Sequence, residues 1–181
     1  MWKSRLIQKI FLLIPHIITR ILTHDYIVQM RTEKTLFENI EVVGKEIFRE
    51  KTLEVLKLLR NKSLQDYHYV SKHLKRIIPA ERETSAALLH LRLYSVGNKV
   101  VYQSDPEWYA SKLVYAAACV EVKERFGVEP FRFQRTLKQR IEKTCVKKQL
   151  QVLKRLEAKQ AYIDYVNQYL DRNKEKEMLT L

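Results

Sequence analysis

Glycine is nearly missing from this chain, with three in 181 residues, and proline occurs only four times. A fold built from tight turns needs more of both. The scarcity, together with abundant Leu, Lys, Glu and Gln, points to helices joined by short loops. The expected fold is all-α, a bundle of five or six helices with a long C-terminal helix that projects or bends. At this length the chain fits one domain with a sizeable core.

Cysteine is scarce too. Cys119 and Cys145 have no CxxC neighbour, which excludes a secreted disulfide scaffold and leaves plain thiols in a reducing compartment. No run of 18 or more uncharged apolar residues occurs, so no conventional spanning helix is expected. The five histidines form neither HExxH nor Glu-x-x-His, and neither a glycine-rich phosphate loop nor a Gly-x-Ser-x-Gly turn is present. Paired acids such as Glu46, Glu50 and Glu54 sit at solvated helical spacing. We expect no catalytic residue, no metal ligand and no cofactor, hence no enzyme.

Acids are missing where bases are densest. Residues 1–24 hold Lys3, Arg5, Lys9 and Arg20 and no Asp or Glu. Residues 131–160 hold ten Lys and Arg against Glu142 and Glu157 alone. Those two stretches supply twelve of the thirteen excess positive charges. Charge segregated in this way repels itself, so it usually faces a polyanion such as nucleic acid or an anionic membrane.

Three regions follow: 1–24, a basic amphipathic segment; 25–170, a helical domain; and 171–181, a charged tail. In the first, Leu6, Ile10, Leu13, Ile14, Ile17, Ile18 and Ile21 share one helical face, with Arg5, Lys9 and Arg20 opposite. The composition fits a mitochondrial presequence or a surface-lying anchor whose Arg5, Lys9 and Arg20 meet headgroups; a first core helix with a charged edge fits as well.

Within the domain, Thr35-x-x-Glu38 has capping-box spacing and Leu36, Ile40, Val43 and Ile47 recur as on a helix, with Gly44 a weak point. Ser63-x-x-Asp66 opens a further helix through Leu74 and Ile77; another starts at Pro79 and stops at Gly97. Residues 98–103 are the one strand-like stretch, too short to found a sheet. Asp105-Pro106 starts a helix that ends at Phe126-Gly127, and its Tyr115-Ala116-Ala117-Ala118 run suits close packing by a neighbour. The last helix opens at Glu129-Pro130 and runs to Asp171, on the order of 60 Å.

On that last helix Leu137, Ile141, Cys145, Val152, Leu156, Ile163, Val166 and Leu170 form an apolar stripe, and Arg132, Arg140, Lys143, Lys147 and Lys154 lie opposite. A solvated face normally interleaves Glu with Lys at i,i+4; this one does not. Tyr162, Tyr165 and Tyr169 flank it as half-buried packing or as stacking platforms. Lys72, Lys75 and Arg76 make a weaker cluster. The function expected is non-catalytic RNA binding within a large ribonucleoprotein, through phosphates met by the basic face. The alternative is a peripheral subunit of a membrane complex anchored by residues 1–24.

Overall fold

Alternation, not helical spacing, governs residues 34–43. In the computed structural model, which describes residues 33–80, 83–88, 91–126 and 135–178, Lys34–Phe37 (β1) and Ile40–Val43 (β2) form an antiparallel hairpin. Glu38 and Asn39 are its two-residue loop, and Glu38 takes a φ of 51°. The helical spacing read into this stretch is a coincidence. Leu36 and Ile47 are 70% and 60% exposed, while Ile40 and Val43 are buried on opposite faces of a sheet. Gly44 is the junction that follows. Its φ is +150°, and a Cβ there would fall 2.8 Å from Phe48 Cδ1 and 3.1 Å from Pro79 Cδ, so the position demands glycine.

Two helices come next, Glu46–Lys62 (α1) and Leu64–His73 (α2), separated by Ser63. The Ser63 hydroxyl donates to the Asp66 carboxylate at 2.6 Å. The chain then returns to the sheet as Arg76–Pro79 (β3), Ala86–Leu88 (β4) and Leu93–Val96 (β5). Strand order is β1-β2-β3-β5-β4, with β2, β3 and β5 parallel and the two edge strands antiparallel. The fold is therefore α/β, with a five-stranded mixed sheet and six helices among the described residues, and not an all-α helical bundle.

The physical reason for that correction lies in how the turns are closed. Glycine scarcity excludes tight turns only if glycine alone adopts positive φ, and here Glu38, Arg92 and Glu157 do so at 51°, 48° and 55°. A β-α-β crossover, moreover, joins parallel strands through helices and needs few turns. The segments expected as helices around Ile77 and at Leu93–Val96 are strands, while Leu89 lies outside the described residues. The strand-like residues 98–103 are instead the short helix Asn98–Gln103 (α3). Gly97, expected as a helix stop, ends β5, and a Cβ there would collide with the Glu83 carbonyl at 1.9 Å.

Pro106–Phe126 (α4) has the bounds the sequence suggests. Ala110, Leu113, Val114, Ala116, Ala117, Ala118 and Val120 are all buried on it, so it is the central helix of the molecule. One side meets the sheet residues Ile40, Val42, Ile77, Tyr94 and Val96 within the main core. Ala118 packs with Ile141 and Cys145 of the next helix, Arg135–Arg155 (α5). The single long C-terminal helix is not observed. It breaks after Arg155 and resumes as Gln160–Met178 (α6), which folds back on α5.

The break is a Schellman motif without glycine. The Ala158 N–H reaches the Leu153 carbonyl at 3.0 Å, and the Glu157 N–H reaches Lys154 at 3.2 Å. Leu153 and Ala158 join one apolar cluster with Val146, Val166 and Leu170. Residues 171–178, expected as tail, continue α6.

Candidate nucleic-acid interface

α5 buries itself in three directions. Ile141 and Cys145 face α4, Val152 and Leu156 enter the main core, and Val146 and Leu153 meet α6. The remaining side carries a row at spacings 4, 3, 4 and 3: Arg140, Thr144, Lys147, Gln151 and Lys154, every one exposed. The three cations recur every seven residues, about 10 Å apart along the axis and about 21 Å end to end. None of them takes part in an ion pair among the described residues. Lys143 lies to one side and is half-buried. Arg132 lies outside the described residues, as do Arg5, Lys9 and Arg20.

The cations beside this row are spent differently. Arg155, the last residue of α5, forms a bidentate pair with buried Asp66 of α2, with contacts of 2.8 and 2.7 Å. The Gln65 amide, with its oxygen turned toward the same guanidinium, accepts at 3.2 and 3.3 Å. Lys148 sits 3.7 Å over the Tyr69 ring and 3.5 Å from Glu121 of α4. The Tyr69 hydroxyl donates to that same carboxylate at 2.6 Å. Burial alone would raise the Glu121 carboxyl; the Tyr69 hydroxyl, Lys148 and Arg125 outweigh it and hold it below the usual carboxylate range.

Between α2 and α5 these groups line an open polar cleft of about 240 Å³, with Val114 of α4 also on its wall. Gln151 belongs to both features: it lines the cleft and stands in the row between Lys147 and Lys154. The cleft is close to neutral because its cations are paired. The row beside it is not.

No family model, no curated protein and no solved structure matches this chain.

The remaining residues singled out from the sequence are dispersed. Lys72, Lys75 and Arg76 do not share a helix side, because α2 ends at His73. Arg76 is on β3 and pairs with Glu41, and Lys75 Nζ donates to the Ser71 carbonyl at 3.1 Å. Tyr162 stacks on Trp108 at 4.9 Å and donates to Asp105 at 2.8 Å, so it is packing. Tyr169 donates to Glu142. Tyr165 alone of the three is exposed, at 61%. Asp105 spends its carboxylate on Tyr162 and Lys159, which hold it ionised below its ordinary range.

Sequence reasoning missed Asp66, Gln65 and Gln151. Asp66 and Arg155 are 89 residues apart, and no spacing rule connects them. No group of three or more metal-ligating side chains occurs among the described residues, and none of their helices is long and apolar enough to cross a membrane.

Proposed function

We propose that the protein is a non-catalytic RNA-binding component of a ribonucleoprotein, and that it grips phosphates through Arg140, Lys147 and Lys154. The observation that carries this reading is the row itself: three exposed cations without ion partners among the described residues, in line, on a helix that packs its other sides against α4, the main core and α6. Arg140 and Lys147 also stand three and four residues from Lys143, a like-charge spacing that costs such a helix a few tenths of a kcal/mol, and the positions between the row's cations are Thr144 and Gln151 where a Glu would be the usual remedy. A polyanion along the row removes that cost and releases counterions. Phosphate contacts of this kind position a ligand without reading its sequence.

Binding of the full chain to single-stranded and duplex RNA over a salt series tests the proposal. Three phosphates on a single strand, at roughly 0.7 each, give a log–log slope of about −2. The triple variant Arg140→Glu, Lys147→Glu, Lys154→Glu should lose the slope and weaken binding on the order of 100-fold. Unchanged binding by that variant overturns the reading. The membrane alternative rests on residues 1–24, outside the described residues; loss of liposome association, with RNA binding intact, when they are deleted is the result that would favour it.

A further inference from the structure

We infer that the cleft between α2 and α5 takes a single unstacked nucleobase from a strand whose phosphates lie along the Arg140–Lys154 row, which makes the ligand single-stranded RNA rather than duplex. This rests on the phosphate reading above and extends it from charge to substrate class.

Four observations lead there. The first is neutrality. A phosphate seeks unpaired cations, yet Arg155 is held by Asp66 and Lys148 by Glu121, so the cleft offers a phosphate little that the row does not offer better. The second is size. At about 240 Å³ the cleft is far larger than the ~30 Å³ share of one water and falls short of the ~300–1,000 Å³ typical of pockets for whole cofactors. One flat heterocycle suits that space. The third is lining. Buried Val114 closes the floor, and the Gln151 amide together with the Gln65 amino group, whose amide oxygen is taken by Arg155, supply hydrogen bonds of the kind that meet a base edge. Lys148 covers the Tyr69 ring, so recognition is by edge and fit and not by stacking on that tyrosine.

The fourth is placement. Gln151 is four residues past Lys147 and three before Lys154, so a base entering at Gln151 leaves its flanking phosphates beside those two lysines. In an A-form duplex the bases are paired and stacked and cannot turn out into such a cleft without melting.

The test compares the wild-type full chain with Gln65→Ala/Gln151→Ala and with Gln151→Ala alone. Both sites are exposed, so the variants should fold, which circular dichroism checks. The probes are a single-stranded RNA carrying one 2-aminopurine, the same strand annealed into a duplex, and poly-glutamate. Wild type should prefer the single strand about tenfold at matched salt, and 2-aminopurine emission should rise as the base leaves its stack. The double variant should lose that preference and the emission change while keeping the salt slope; Gln151→Ala should lie between.

Wild-type emission and preference in the double variant, with the slope intact, overturn the base site and leave the phosphate row standing. Equal wild-type affinity for strand and duplex overturns it in the same way. If wild type binds neither RNA, or binds poly-glutamate alone, the phosphate reading has failed first and the base site fails with it.

Discussion

α1 and α5 are both long, both packed on α4, and both present a row of like charges to solvent, yet the rows have opposite sign. On α1 the row is Glu46, Glu50 and Glu54; on α5 it is Arg140, Lys147 and Lys154. The acids of α1 have company. Arg49 stands three residues after Glu46, and Lys51 and Lys57 stand three either side of Glu54. Within α5 there are eight Lys and Arg and one acid, Glu142, which accepts from Tyr169. A chain that needed charge only for solubility would have no reason to treat its two helices so differently. The formal net charge of +13 is therefore a poor description of this surface, and the arrangement of the charges is the better one.

The sharpest way to break the contrast is to exchange the rows. Combining Arg140→Glu, Lys147→Glu and Lys154→Glu with Glu46→Lys, Glu50→Lys and Glu54→Lys leaves the formal net charge at +13. RNA affinity should stay on the order of 100-fold below wild type, because the phosphates follow the row and not the total. Recovery to wild-type affinity in a filter-binding titration would show that bulk charge is enough.

A smaller effect concerns how α5 is held. Asp66→Ala removes the bidentate partner of Arg155, whose side chain is about a third exposed and partly rehydrates. The expected loss is about 1–3 kcal/mol in urea unfolding, with the slope m unchanged. A change under about 0.3 kcal/mol would mean that the apolar contacts of Val152, Leu153 and Leu156 fix this helix end unaided.

The smallest expected effect is a pH dependence at the α2–α4 seam, away from the row. Burial pushes the His73 imidazole below its ordinary value and outweighs Glu124, 3.4 Å from Nδ1, and Glu121. A folded-state pKa below the unfolded one means that the unfolded chain takes up the proton first. The His73 contribution is thus complete above about pH 6.5 and declines as pH falls from there toward the depressed folded value. Glu41 and Glu121, lowered in the fold, lose their contribution at more acidic pH, below their ordinary range. His73→Gln should flatten thermal stability between about pH 6.5 and the carboxylate region; a variant curve parallel to wild type there would remove His73 as the source.

What could be read from the chain divides near residue 104, past the strand-like stretch that is a short helix. After it, the Asp105-Pro106 start, the small residues at 116–118 and the stripe Ile141, Cys145, Val152, Leu156 report local rules: a cap, a close approach, a period. The structure follows them. Before it, the same rules find the helices at 46–62 and 64–73 but take the strands for helices as well, because short parallel strands are made by their partners. Glu41 lies opposite Arg76, and Arg76 opposite Leu93, pairings that no local window contains. The break at Glu157 was hidden for a related reason, since a glutamate in the left-handed region carries no signature. For the site, the charges were legible and the cleft was not: a cleft is made by two helices, and the sequence speaks for one at a time.

The bidentate grip of Asp66 on Arg155 has a mechanical meaning. α5 is fastened near both ends, by that pair at one and by Glu142 and Tyr169 toward the other, with Lys148 and Glu121 between. A beam pinned in this way cannot flex to suit what it meets. Its three cations then act as marks on a gauge, and a ligand engages all three only if its own charges come at matching intervals.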